Sequence, residues 1–122
     1  MALETLPAIL GVDATYYMTK DVGAAVAFYD VLLGMRPTVH APEMFAEYTL
    51  ADDASFGLYQ SGAFYPGGTI MFRVDDVAAF VAAARGNGLT CFGDGKIEDT
   101  PSCYMAFGTD PDGNRFIVHK KK

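Results

Sequence analysis

The side chains in this chain with the chemistry to hold or transform a small molecule are Tyr16, Tyr59, Glu47, Arg73, His40, His119, Cys91 and Cys103. Tyrosine, glutamate and histidine exchange protons, arginine grips a carboxylate or phosphate through a planar fork, and a thiolate is a nucleophile. Their spacing spells out no catalytic nucleophile. No Ser-His-Asp or Cys-His pattern is readable, and neither cysteine has a basic neighbour that would lower its pKa. Gly93-Asp94-Gly95-Lys96 has glycines and a lysine like a phosphate loop, but lacks the full spacing and the following helix. His40, Glu47 and His119 are the residues from which a metal centre would have to be assembled. Two isolated histidines without partners at ligand spacing do not make one.

A motif that occurs twice positions these residues. In each copy an apolar strand runs into an aspartate that opens an amphipathic helix, and a later acidic turn opens a closing strand. The aspartates are Asp21 and Asp76; the turns are Asp52-Asp53 and Asp110-Pro111-Asp112-Gly113. Ala14 to Thr19 suits a strand, Asp21 an N-cap, and Val22, Val26, Tyr29 and Leu33 recur at helical spacing until Gly34 stops the helix. Thr38 to His40, Phe45 to Leu50 and Ser55 to Gln60 read as three short strands, and Ser61 to Gly68 as a connector. The pattern then restarts. Thr69 to Val74 is a predicted strand, and Asp76 opens a helix with Val77, Phe80, Val81 and Ala84 on its apolar stripe, stopped at Gly86-Asn87-Gly88. Leu89 to Phe92, Tyr104 to Phe107 and Arg115 to Lys120 are the expected closing strands, with an exposed loop from Gly93 to Ser102. The reading is a pair of βαβββ modules, about residues 11–60 and 68–120, in a single domain spanning 1–122.

Composition narrows the function. A chain of 122 residues that is 51% hydrophobic and 20% charged is expected to fold as one ordered domain. A net charge of −6 excludes a phosphate-backbone partner, since nucleic-acid binding draws on Lys and Arg; it favours a cationic small molecule instead. No stretch is long and apolar enough for a membrane, and Met1 to Pro7 lacks the features of a secretory signal, so the expected compartment is cytoplasmic. In that compartment Cys91 and Cys103 are expected as reduced thiols.

The segments Lys20-Asp21-Val22 through Phe28-Tyr29-Asp30-Val31-Leu32-Leu33-Gly34-Met35, and Asp110-Pro111-Asp112-Gly113-Asn114 before the last strand, resemble the vicinal oxygen chelate superfamily. This group includes glyoxalase I, extradiol dioxygenases, fosfomycin-resistance transferases and bleomycin-resistance proteins. The resemblance spans nearly the whole chain. It implies an α+β fold in which the two modules form one curled, mixed eight-stranded sheet with a concave cleft, and it implies a homodimer. Metal-binding relatives use a His or Gln and a Glu from each repeat, pointing into the cleft. Carried onto this sequence, those positions are Ala14 and Gly57 in the first repeat and Thr69 and Ile117 in the second. None is a good metal ligand, so no metal and no cofactor are expected.

Strand alternation places Ala14, Tyr16 and Met18 on the concave face, with Gly57 and Tyr59, Thr69, Met71 and Arg73, and Ile117 and His119 from the other strands. The opposite parity, Phe56-Leu58, Ile70-Phe72-Val74 and Phe116-Val118, is more uniformly apolar and suits packing under helices. Arg73 on an inward face calls for an anion, either a neighbour such as Glu47 or a ligand's carboxylate or phosphate. These eleven residues, Glu47 included, form the expected ligand-binding set. The functional expectation is a metal-independent small-molecule binding protein of the bleomycin-resistance type, sequestering an aromatic or cationic drug or metabolite. The alternative is a glyoxalase-like lyase, dioxygenase or isomerase with a non-standard site.

Overall fold

The computed structural model describes residue 10 and residues 12–62 and 67–122. Residues 1–9 and 11, which include the Met1 to Pro7 stretch expected to lack a secretory signal, and residues 63–66 of the connector lie outside the described residues. The order of elements is β1 (Ala14–Thr19), α1 (Val22–Leu33), β2 (Val39–Ala41), β3 (Phe45–Thr49) and β4 (Ser55–Gln60). It continues with β5 (Thr69–Arg73), α2 (Val77–Gly86), β6 (Glu98–Asp99), β7 (Cys103–Thr109) and β8 (Arg115–Lys121).

Each half is a βαβββ module with a four-stranded mixed sheet, in the orders β1-β4-β3-β2 and β5-β8-β7-β6. The first strand of each runs parallel to the last, as a crossover helix between them requires, and the remaining pairs are antiparallel hairpins. Equivalent residues pair alike, Ala14 with Ser55 in one half and Thr69 with Arg115 in the other. The α+β fold of two modules curling around a concave side is therefore present, with β1 and β5 as the edge strands along the seam between halves.

The two helices start in the same way. Asp21 and Asp76 are both extended, and their carboxylates accept from the backbone N–H three residues on, Ala24 and Ala79. This satisfies one of the donors that a helix N-terminus leaves open. Gly34 ends α1 at φ 65°, a left-handed conformation that costs glycine little. Val22, Ala25, Val26, Tyr29 and Leu32 form the buried stripe of α1, and Val77, Val81 and Ala84 that of α2. They meet the even face of the sheets, Phe56, Leu58, Phe116 and Val118, in one shared core. Each large side chain buried there contributes roughly 1.5–3 kcal/mol of transfer free energy.

One predicted strand is absent. Leu89 to Phe92 forms no strand: the chain turns over residues 91–94, and Gly93 and Gly95, both at positive φ, donate backbone N–H groups to the carbonyls of Thr90 and Phe92. The apolar character of this stretch has another cause: Phe92 is buried in the core with its ring against Phe80 and Phe116. The missing strand is instead β6, a two-residue piece inside the expected loop, paired with Met105 and Tyr104.

Candidate functional site

Three neighbouring strands bring Tyr16, Gly57 and Glu47 into one row on the concave face, since Gly57 is in register with both of the others. Because glycine has no side chain, the Tyr16 ring lies flat across the middle strand. A Cβ placed on Gly57 would sit 2.4 Å from that ring. The hydroxyl of Tyr16 thereby reaches the third strand and donates to Glu47 Oε2 at 2.5 Å. Burial, the hydrogen bond to Glu47 and the charge of that carboxylate together push the phenol up to about 12. At neutral pH the pair is thus a protonated phenol held by its hydrogen bond to Glu47.

Beside this pair is an open depression of about 440 Å³ lined by Tyr16, Glu43, Met44, Phe45, Tyr59 and Gln60. The rings of Tyr16 and Tyr59 stand 6.3 Å apart at 54°, giving two aromatic walls. Tyr59 and Met44 are exposed. Aromatic and thioether surface with a few polar groups at the rim is the composition that binds flat organic molecules, and Glu43 and Glu47 make it electronegative. Glu43, Met44, Phe45 and Gln60 were not singled out from sequence. Phe45 shares the parity of Glu47 and was findable by alternation; Glu43 and Met44 lie in the turn before β3, where alternation says nothing.

The second half offers a different surface at equivalent positions. Met71, Ile117 and Phe107 form the row that matches Tyr16, Gly57 and Glu47. Met71 and Phe107 are exposed, and Ile117 is half-buried. Arg73 is in register with His119, the counterpart of Tyr59. The Arg73 guanidinium lies 3.9 Å from Asp52, so its anion is the acidic turn of the first half and not Glu47. Ala14 and Met18 are half-buried on the first face and Thr69 is exposed on the second. Of the expected residues Tyr16 and Tyr59 therefore line the depression, Glu47 and Gly57 stand in the row beside it, and none of the second-half residues lines it. Both cysteines are free, and burial pushes the Cys91 thiol up, the direction opposite to a reactive thiolate.

Residues 11–118 match the family model of the Glyoxalase/Bleomycin resistance protein/Dioxygenase superfamily. The chain belongs to that superfamily. Among solved structures it is similar to a glyoxalase/bleomycin resistance protein from Catenulispora acidiphila, at 24% identity over 91% of this chain and 97% of that one, with a TM-score of 0.73. A lactoylglutathione lyase from Agrobacterium tumefaciens is similar at 19% identity, 92% and 94% coverage and a TM-score of 0.74. The protein called Oxidase ChaP-H2 is similar at 22% identity, 93% and 94% coverage and a TM-score of 0.73. Binding, lyase and oxidase names thus share this fold, and the likeness fixes architecture without choosing among them. No curated protein matches the chain.

The superfamily's metal-binding members raise the question of whether a metal fits here. The ligand positions carry Ala14, Gly57, Thr69 and Ile117, which together supply one hydroxyl and no imidazole, carboxylate or thiolate. The space into which a ligand at position 57 would project is filled by the Tyr16 ring. Among the described residues no group of three His, Cys, Asp or Glu side chains comes together elsewhere. The donor set does not fit a divalent ion. No helix among them is long and apolar enough to cross a membrane.

Proposed function

We propose that this chain is a metal-independent small-molecule binding protein of the bleomycin-resistance type, which sequesters a planar aromatic or cationic drug or metabolite on the concave face. The observation that carries the reading is the Tyr16 ring lying across Gly57, where a metal-binding relative would need a ligand side chain, beside a depression walled by Tyr16, Phe45 and Tyr59. The phenol converts a coordination position into an aromatic wall. Its bond to Glu47 fixes the orientation of that wall.

A second copy of the chain supplies the rest of the site in this proposal. Tyr59, Met71 and Phe107 leave much apolar surface open on the concave side, and a homodimer covers such surface most simply. Light scattering at micromolar concentration tests this, with a mass of twice 13.1 kDa expected.

A second reading, a lyase, dioxygenase or isomerase with a non-standard site, draws on the same pair. A tyrosine held by a carboxylate can donate a proton to a bound carbonyl and take one back, which is metal-free isomerase chemistry. The separating experiment is a thermal-shift screen with planar aromatic and cationic compounds in the presence of a chelator, followed by incubation of each hit. Stabilisation with the compound recovered unchanged supports sequestration. Turnover abolished by Tyr16→Phe would replace it with the enzymatic reading.

A further inference from the structure

Under the helices at the seam, the two halves leave a cleft of about 670 Å³ between them, its rim reaching Met71 and Arg73. Among its walls are Leu33 of α1, Leu50 before the acidic turn, Ile70 and Phe72 of β5, Val74 just after it, and Phe80 of α2. All six are half-buried, so apolar surface faces the opening. At its mouth stand Asp52, Asp75 and Arg73.

Internal symmetry says what is unusual about this place. Its mate at the other end of the seam is filled. There Thr19 Oγ1 donates to Asp112 at 2.6 Å, the Asn114 side-chain amide donates to the carbonyl of Met18, and Tyr17 donates to the carbonyl of Arg115. In the cleft the equivalents of Tyr17, Thr19, Asp110 and Asn114 are Phe72, Val74, Leu50 and Ala54. These four have lost the polar group that closes the seam, whereas the counterpart of Asp112, Asp52, keeps its carboxylate but has Val74 where Asp112 has Thr19. What spans the mouth is the Arg73–Asp52 pair at 3.9 Å, with side chains 80% and 53% exposed. An exposed pair at that distance holds little and opens readily.

We propose that this cleft is a second binding site, distinct from the concave face, for an amphipathic amine: a compact apolar body with a cationic head group. The volume is that of small-molecule pockets, and the walls offer the body mainly hydrocarbon and aromatic surface, with the hydroxyl-bearing Thr15 and Ser55 among the lining. The head group is set by charge. Two carboxylates at the mouth face one guanidinium, so the rim is net negative within a chain of net charge −6. A cation there meets Asp75 and shares Asp52 with Arg73, whereas an anion has to displace Asp52 and then face Asp75.

The test is an amide chemical-shift titration of the whole chain with three probes that share one apolar cage: adamantan-1-amine, adamantan-1-ol and adamantane-1-carboxylate. Saturable shifts at residues 50–55 and 70–75 are expected, strongest for the amine. Asp52→Asn is expected to weaken the amine about threefold, the effect of an exposed charge contact, and to leave the alcohol unchanged. Ala54→Trp, at an exposed position on the rim, is expected to abolish binding of all three. Should that variant fail to fold, Asp52→Asn and the shift map still decide the matter. Shifts centred on Tyr16 and Tyr59, preference for the carboxylate, or no saturation in the millimolar range would each overturn the proposal. Binding that emerges only after deletion of residues 1–9 would overturn it too, by assigning the cleft to the chain's own amino-terminal segment.

Discussion

At one end of the seam Tyr17, Thr19 and Tyr29 reach across to Arg115, Asp112 and Asp110; at the other end Phe72 and Val74, the counterparts of Tyr17 and Thr19, line one cleft with Leu50, Asp52 and Ala54, and the counterpart of Tyr29 is the buried Ala84. Backbone pairing at the two ends is equivalent, and both helices carry the same aspartate cap. The first end is closed by a network around Asp110, whose carboxylate accepts from Tyr29 Oη, Asn114 Nδ2 and the backbone N–H groups of Asp112 and Asn114. The second end keeps apolar walls and an open cleft. A duplicated fold can thus separate its tasks, spending polar side chains on closure at one end and leaving the other free for a ligand. The concave faces divide likewise, with Tyr16 bonded to Glu47 in one half and Met71 opposite Ile117 and Phe107 in the other.

The largest expected effect breaks the closed end. Asp110→Ala leaves the Tyr29 hydroxyl, the Asn114 amide and two backbone donors without their acceptor, and is expected to lower unfolding free energy by about 3–5 kcal/mol in urea denaturation. Leu50→Ala at the equivalent position removes half-buried hydrocarbon and is expected to cost about 1–2 kcal/mol. Equal costs at the two positions would mean that the two ends of the seam are held alike.

A smaller effect is expected on the concave face. Gly57→Ala forces the Tyr16 ring off its strand and is expected to cost about 1–3 kcal/mol. Because the clash is with one side chain, combining it with Tyr16→Ala is expected to recover about 1 kcal/mol or more in a double-mutant cycle. Strict additivity would mean that the ring does not depend on the glycine.

High pH sharpens the same contrast. Burial and the bond to Glu47 raise Tyr16 from 10.0 to about 12, and burial with acidic partners also raises Tyr29, beside Asp110, and Tyr48, beside Asp30. A phenol whose pKa is higher folded than unfolded favours folding fully below pH 10. Its contribution is lost as pH climbs from 10.0 through about 12, because the unfolded chain sheds the proton first. Urea midpoints are expected to fall across that window, and less steeply in Tyr16→Phe than in the parent. The smallest change is Phe72→Tyr, which restores to the open end the hydroxyl that Tyr17 supplies at the closed end. A stability shift within about 0.5 kcal/mol is expected, since the half-buried ring has solvent at hand.

Much of the fold was legible because the repeat writes its punctuation in chemically specific residues. Asp21 and Asp76 as caps, Gly34 as a stop and the alternation in β1, β4, β5 and β8 each have a local physical cause. Leu89 to Phe92 misled because four apolar-leaning residues look alike whether they pair as a strand or plug a core, and only tertiary packing distinguishes the two. Parity placed Tyr16, Glu47 and Gly57 on one face. That the ring crosses the glycine to reach the glutamate depends on the register of three strands, which no linear spacing encodes. Arg73 was expected to need an anion, yet Asp52 lies across the seam and could not be chosen over Glu47 from spacing. The cleft was the least legible, being a volume left by side chains that are missing relative to their repeat mates.

On the proposed reading, aromatic surface stands on the concave face where metal-binding relatives carry ligands. The most direct measurement is elemental analysis of the purified chain after titration with nickel, zinc, iron and manganese and subsequent desalting. No metal above background is expected for any of the four. Near one equivalent of any metal retained per chain would contradict that reading.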